Sequence, residues 1–360
     1  MQGSNSVKSS LMAMFTFVCQ TGVGIIMLPS LLAKDTGHDG WISILVTGII
    51  VALLSVMIVV LLRRYKDKAI YDINKFIFGR IIGSGFNVLL ILYLLIATVG
   101  GASLFNYFMR ITILPETPSW ALAPFITLPT FYLVWQGLKH VSRFLFCSLL
   151  SYVVVLVFIA LLYKEYRISF LMPIGEAGIT RILYSTKTSF FAFIGFELIA
   201  FIYPYISDRN KALKWHILAI MASTVFFLVI VIVSTAIFGE NFLTTLFLPF
   251  YNLSRIYNAP ILERIDLYLI ALWFIPMACS MRCYVFAAFD GLQKVFNLEK
   301  TRLLYVIFFI VIYIFSSIPK DINQVFVLIE LINMIGIGVA LFLVLCLLLS
   351  FIRKKGVTSK

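Results

Sequence analysis

The sequence predicts an all-α polytopic membrane protein: ten transmembrane helices in a five-plus-five inverted repeat, with helices 1 and 6 broken. Three observations carry that prediction. The 360 residues are 62% hydrophobic and 12% charged, with a mean hydropathy of +1.03. A soluble domain is about half apolar and about a quarter charged. Ten segments have membrane length, about 10–33, 41–62, 86–109, 120–138, 144–163, 187–206, 215–238, 265–288, 303–319 and 324–351. Gly22-Val23-Gly24 interrupts the first of these, and Ile194-Gly195-Phe196-Glu197 interrupts the sixth.

Breaks at matching positions of two halves mark folds that bind a ligand near the bilayer midplane. Unwound backbone must face a cavity, because lipid offers no partner for its free N–H and C=O groups. An odd number of spans per half reverses the second half, giving a repeat at about 10–163 and another at about 187–351. No Pro-, Gly- or Ser-rich linker divides residues 1–360, which read as one domain.

Span 1 contains Thr21-Gly22-Val23-Gly24-Ile25-Ile26-Met27-Leu28-Pro29. Gly22 and Gly24 free the backbone to unwind and to approach a ligand. Pro29 withholds an N–H and clashes with the preceding turn. The second half-helix is expected to begin near Ile25, its N-terminal N–H groups and dipole suited to a carboxylate. Close helix packing through small residues is the competing reading of the two glycines. The span is too long for a signal peptide, and it lacks a small-residue cleavage site.

The link after span 2, Lys68–Arg80, places Ile70, Ile73, Phe76 and Ile77 on one helical face. It reads as an amphipathic interfacial helix. Span 3 carries an unusually small and polar face of Tyr93, Thr98, Gly100, Gly101, Ser103 and Asn106. Span 6 reads Ser189 to Glu197, with Phe193, Ile194, Gly195 and Phe196 before the carboxylate. A charge at that depth costs roughly 2.5–3.5 kcal/mol on insertion scales, so Glu197 should face the interior. It could hold a ligand ammonium, relay a proton, or lock span 6 to its neighbours. Free carbonyls at Phe193, Ile194 and Gly195 would suit an ammonium group.

The link between spans 7 and 8, Glu240–Ile265, includes Leu243–Tyr251. It is too short and Pro-broken to span, and reads as a helical hairpin on the outer face. Span 8 places Met277 and Ser280 beside Pro276, and Arg282 inside the membrane, where it should pair with a carboxylate or reach the interface. Tyr93 and Ser280 are candidates for lining a cavity beside the broken helices. Glu330 lies one to two turns into span 10.

The net charge of +13 is topological. With the N-terminus inside, 19 of the 29 Lys and Arg residues fall on inner segments and 9 on outer ones, leaving Arg282 in the membrane. The positive-inside rule puts both termini in the cytoplasm. The basic residues contact headgroups, and nucleic acid is not expected as a partner. All five cysteines fall in spans, which argues against a disulfide framework. Cys279 and Cys283 share a helix face as small packing residues, and the three histidines are scattered. No metal cluster, cofactor motif, phosphate loop or catalytic constellation is present, so an enzyme is not expected.

Gly-Ile-Ile-Met-Leu-Pro in span 1 and Phe-Ile-Gly-Phe-Glu-Leu in span 6 carry a resemblance. The first is similar to the Gly-x-Gly-Ile…Pro of the amino acid–polyamine–organocation superfamily. With the length and ten spans, the whole chain resembles the spore germination permease family, the B subunits of GerA-type nutrient receptors. The resemblance implies a LeuT-type bundle in the inner membrane of the spore. It implies A and C partner subunits, and an amino acid or similar nutrient whose binding triggers germination. Gly22, Val23 and Gly24 would then meet the ligand carboxylate, and Gly195 and its neighbours the amine. Span 5, Phe144–Tyr163, lacks the mid-span Lys of some proton-coupled superfamily members. Span 8 offers only Ser280 as an obvious hydroxyl ligand for sodium. Ion-coupled transport is therefore unsupported, although an amino-acid permease working by alternating access stands as the alternative. A pocket bounded by Phe193 and Phe196 would suit a small or apolar amino acid.

Overall fold

The computed structural model describes residues 6–65, 68–257, 264–299, 301–319 and 321–353. Helix falls on every one of the ten expected segments. Among the described residues the one β feature is an isolated bridge between Val7 and Ile206. The chain is an all-helical integral membrane protein. Six stretches, 28–64, 80–112, 138–165, 209–243, 265–296 and 322–352, are long and apolar enough to cross a bilayer. A seventh, Gly178–Phe193 with Phe196–Tyr205, bends by 53° at its break. The shorter helices α1 (Ser9–Gly24), α6 (Ser119–Trp135) and α13 (Arg302–Ser317) have 16, 17 and 16 residues. At 1.5 Å per residue such helices reach only about 24–26 Å, which is why length alone does not count them as spans.

The first break differs from expectation. α1 stays helical through Gly24, and the chain turns only over residues 25–27 before α2 (Leu28–Thr36) begins. Pro29 explains the shift. Its ring blocks a helical bond to the carbonyl four residues earlier, at Ile25, and sits without cost in the first turn of a new helix. α3 (Gly40–Arg64) follows a tight turn at Gly37.

The amphipathic link is α4 (Ile70–Phe78), with Ile70, Ile73 and Ile77 buried and Asp72 exposed. Polar bonds fasten it to α5 (Arg80–Thr112). Asn74 Nδ2 donates to Asn87 Oδ1 at 2.8 Å, and Asn87 Nδ2 donates to the Tyr71 carbonyl at 2.9 Å. α7 (Leu138–Leu161) follows. After it come α8 (Gly178–Phe193), the break at Ile194 and Gly195, and the short α9 (Ile199–Ile202). Gly195 has φ +118, a left-handed conformation that favours glycine.

α10 (Arg209–Leu243) kinks at Gly239. In the link expected to form a helical hairpin, the described residues beyond α10 hold the short helix α11 (Pro249–Ser254), which Pro249 starts after a turn. Part of that link, 258–263, lies outside the described residues. α12 (Ile265–Phe296) carries Pro276 internally, and α14 (Ile322–Arg353) closes the bundle. α1 is the central helix, packed chiefly against α10 and α12.

The start of α1 is clasped to the chain after α9. Val7 N–H donates to the Tyr205 carbonyl and Ser207 N–H to the Val7 carbonyl, both at 2.9 Å. Asp208 then caps α1 from outside: Ser9 N–H and Oγ donate to its two oxygens at 2.6 and 2.7 Å. Burial opposes the Asp208 charge, but the Ser9 bonds prevail and hold its carboxyl below the usual range. Both broken spans are thereby tied at one end of the bundle.

Candidate functional site

The two breaks meet in the core. Gly24 packs on α8 so closely that a Cβ there would lie 2.7 Å from Ala192 Cα. A Cβ at Gly22 would lie 2.7 Å from the Pro276 carbonyl oxygen of α12. These two glycines do not unwind α1. They let neighbouring backbones touch it. Side chains then cross between the helices. Gln20 Nε2 donates to the Phe193 carbonyl at 3.0 Å, Trp273 Nε1 to the Gly22 carbonyl at 3.1 Å, and Ser280 Oγ to the Cys19 carbonyl at 3.0 Å.

A small cavity of about 50 Å³ opens beside this junction. α1 contributes Gln20, Val23 and Gly24 to its wall, and α5 contributes Gly100 and Gly101. Phe191 and Ile194 come from the second break, Ser280 and Tyr284 from α12, and Ile329 and Ile332 from α14. The wall holds no Asp, Glu, Lys, Arg or His.

Of the residues singled out in the sequence, Val23, Gly24, Ile194 and Ser280 line this cavity. The others are placed behind it. Thr21 bonds the Phe17 carbonyl at 2.7 Å and the Tyr152 hydroxyl at 2.6 Å. Ile25 is fully buried in the core. Phe193 packs edge-on against Phe227 at 5.2 Å and Phe196 against Phe190 at 5.8 Å, so neither bounds the cavity and Phe191 does. For Phe196 the reason is the break itself, since a left-handed residue at Gly195 rotates the face that follows it; Phe193, two residues after Phe191 on the regular α8, points to a different side of that helix. The Phe193 carbonyl, expected to be free, already accepts from Gln20.

Glu197 is buried at 1% exposure, and its carboxylate is fully engaged within the protein. Tyr93 OH donates to Oε1 at 2.7 Å and Tyr284 OH to the same oxygen at 3.3 Å. Oε2 accepts from Gly195 N–H at 2.8 Å. The carboxylate thus holds the unwound turn of span 6 against α5 and α12. Tyr284 is one wall of the cavity, so Glu197 stands one side chain away from it.

The polar face of span 3 divides. Gly100 and Gly101 open onto the cavity, whereas Ser103 Oγ and Asn106 Nδ2 donate to the Ser316 carbonyl at 3.2 and 3.3 Å. Among the described residues Arg282 meets no carboxylate, and it is buried. Its guanidinium lies 4.1 Å from the Phe144 ring centre and Nη1 is 3.6 Å from Cys279 Sγ. Glu330 is on the exposed side of α14. Among the described residues no cluster of His, Cys, Asp or Glu could hold a metal ion.

Sequence reasoning missed Gln20 and Tyr284. A signal existed for both. Gln20 is a polar amide inside an apolar span, and Tyr284 lies four residues after Ser280 on the same helix face.

The model of the family described as spore germination protein matches residues 6–325. The chain belongs to the spore germination permease family. It is 25% identical over 338 residues to spore germination protein YndE of Bacillus subtilis, covering 92% of this chain and 93% of that protein. It is 24% identical to spore germination protein GerQB of Bacillus cereus, covering 85% and 84%. Spore germination protein A2 of Bacillus subtilis is 24% identical, over 94% and 93%. Among solved structures, the substrate-bound outward-open state of a sodium-coupled sialic acid symporter matches with TM-score 0.56 at 11% identity. That match covers 98% of this chain and 76% of the symporter. This member of the spore germination permease family shares the symporter's fold.

Proposed function

We propose that this chain is the nutrient-binding subunit of a bacterial spore germinant receptor. It crosses the inner membrane of the spore ten times, as two inverted repeats of five spans in one domain, with both termini cytoplasmic. It acts with A and C subunits that read its state, and it carries no catalytic centre. The observation that carries this reading is the cavity at the meeting point of the two broken spans. A small amino acid sits there, beside Val23 and Gly24 of span 1 and Ile194 of span 6. Bound ligand favours one arrangement of the bundle, and a ligand of equal affinity for both arrangements would trigger nothing.

The fold shared with a symporter favours one second reading, an amino-acid permease working by alternating access. Deleting the gene in its host separates the two. Spores of the deletion strain, challenged with single nutrients, should lose germination to one of them while growing cells keep uptake of that nutrient. Normal germination with impaired uptake would establish the permease. Neither change, in a strain also lacking related genes, would contradict both.

A further inference from the structure

We propose that Gln20 selects the ligand's amino group, and that the cavity admits small net-neutral amines: amino acids with uncharged, apolar side chains. This rests on the reading of the cavity as the nutrient site. Gln20 is only 1% exposed and belongs to the cavity wall. Its amide orientation is decided by chemistry. The Phe193 carbonyl can only accept, so the NH₂ group faces it, at 3.0 Å. The other end, Oε1, is buried with no hydrogen-bond partner.

An unpaired buried amide oxygen is costly, and a ligand donor removes that cost. The neighbouring hydroxyls cannot supply one. Ser280 donates its hydrogen to the Cys19 carbonyl, and Tyr284 donates its hydrogen to Glu197. The wall's hydroxyl hydrogens are therefore spent within the protein, and the unpartnered Gln20 Oε1 is an acceptor, which fits an ammonium group. With no charged side chain in the wall, a ligand with net charge would enter unpaired. Gln20 would also touch both ligand and span 6. A ligand bond at Oε1 and the Phe193 bond at Nε2 pass through the same amide. Occupancy is thereby read by both broken helices.

The test uses the full chain purified in detergent and equilibrium binding of L-alanine, L-valine and L-leucine. Each is compared with its deaminated acid: propionate, 3-methylbutanoate and 4-methylpentanoate. L-glutamate and L-lysine serve as charged probes. The expected result is binding of at least one neutral amino acid, with its deaminated partner and both charged probes at least tenfold weaker. Gln20→Met, close in shape but without the amide, should weaken the bound amino acid at least tenfold in a chain that still folds. If Gln20→Met does not fold, the analogue series on the unaltered chain decides alone. A deaminated acid binding as well as its amino acid, or a folded Gln20→Met keeping full affinity, overturns the role of Gln20. If no neutral amino acid binds the unaltered chain, the nutrient-site reading falls, and this inference with it.

Discussion

Gly24→Leu is expected to abolish the nutrient response and to lower the amount of folded protein in the membrane. A Cβ at Gly24 would stand 2.7 Å from Ala192 Cα and 2.9 Å from Ala192 Cβ. The obstruction is mostly the backbone of α8, which cannot swing aside as a flexible side chain would. Overpacking a well-filled core costs about 1–3 kcal/mol and sometimes more, and a leucine adds three further carbons at the junction of the two breaks. The variant would separate α1 from α8, stretch the Gln20–Phe193 bond and intrude on the cavity. Immunoblotting of spore membranes, with germination assays on the same spores, checks both parts. A normal dose curve at normal protein level would remove the proposed site.

Glu197→Ala is expected to be the most destabilising single truncation near the site. It leaves the Tyr93 and Tyr284 hydroxyls and the Gly195 N–H without their shared acceptor. Each unsatisfied buried group costs about 1–3 kcal/mol, so the loss is on the order of 3–5 kcal/mol, since such losses are not additive. That is a large share of the roughly 5–15 kcal/mol that keeps a folded domain together. Glu197→Gln should lose less. It keeps an acceptor for the tyrosines, but sets an amide N–H against Gly195 N–H. Thermal unfolding of the detergent-solubilised variants ranks the three proteins. If Glu197→Ala melts with the unaltered chain, the carboxylate is not the tie between span 6 and its neighbours.

Much of the architecture was legible because membranes enforce strong rules. Apolar runs of membrane length found the helical segments, and the spacing of Ile70, Ile73 and Ile77 found the face of α4. The two breaks were visible as glycine and proline in apolar runs. Their exact form was not. Gly22 and Gly24 read as unwinding residues, yet they serve helix contact, and Pro29 sets the break three residues later. That distinction depends on which backbone lies opposite, namely Pro276 for one glycine and Ala192 for the other. One sequence does not carry that information.

The site was half legible for a related reason. Regular helical spacing predicts which residues share a face only while the helix is regular. Past Gly195 it fails, which misplaces Phe196; Phe193 precedes the break, and which face of α8 meets the cavity, the one bearing Phe191, depends on the neighbouring helices. Glu197 announced itself by charge. Its partner Tyr284 did not, because a tyrosine in an aromatic-rich span stands out little. Gln20 carried a usable signal, a buried amide near the break, and its neighbours Gly22 and Gly24 drew the attention instead.

The central claim is that the cavity between α1, α5, α8, α12 and α14 holds the nutrient. Gly101→Leu tests it most directly. Gly101 lines the cavity, and a Cβ there meets nothing within 4 Å, so a leucine side chain would start in open space and occupy the cavity's volume. Leucine is also a better helix former than glycine, which stands about 0.8–1 kcal/mol below alanine, and this keeps α5 intact. The measurement is equilibrium binding of the nutrient that the unaltered chain recognises, with melting temperature recorded on the same samples. The account predicts that binding disappears while the melting temperature is unchanged or slightly raised. Undiminished binding in a folded Gly101→Leu variant would contradict it, because the nutrient would then be bound elsewhere.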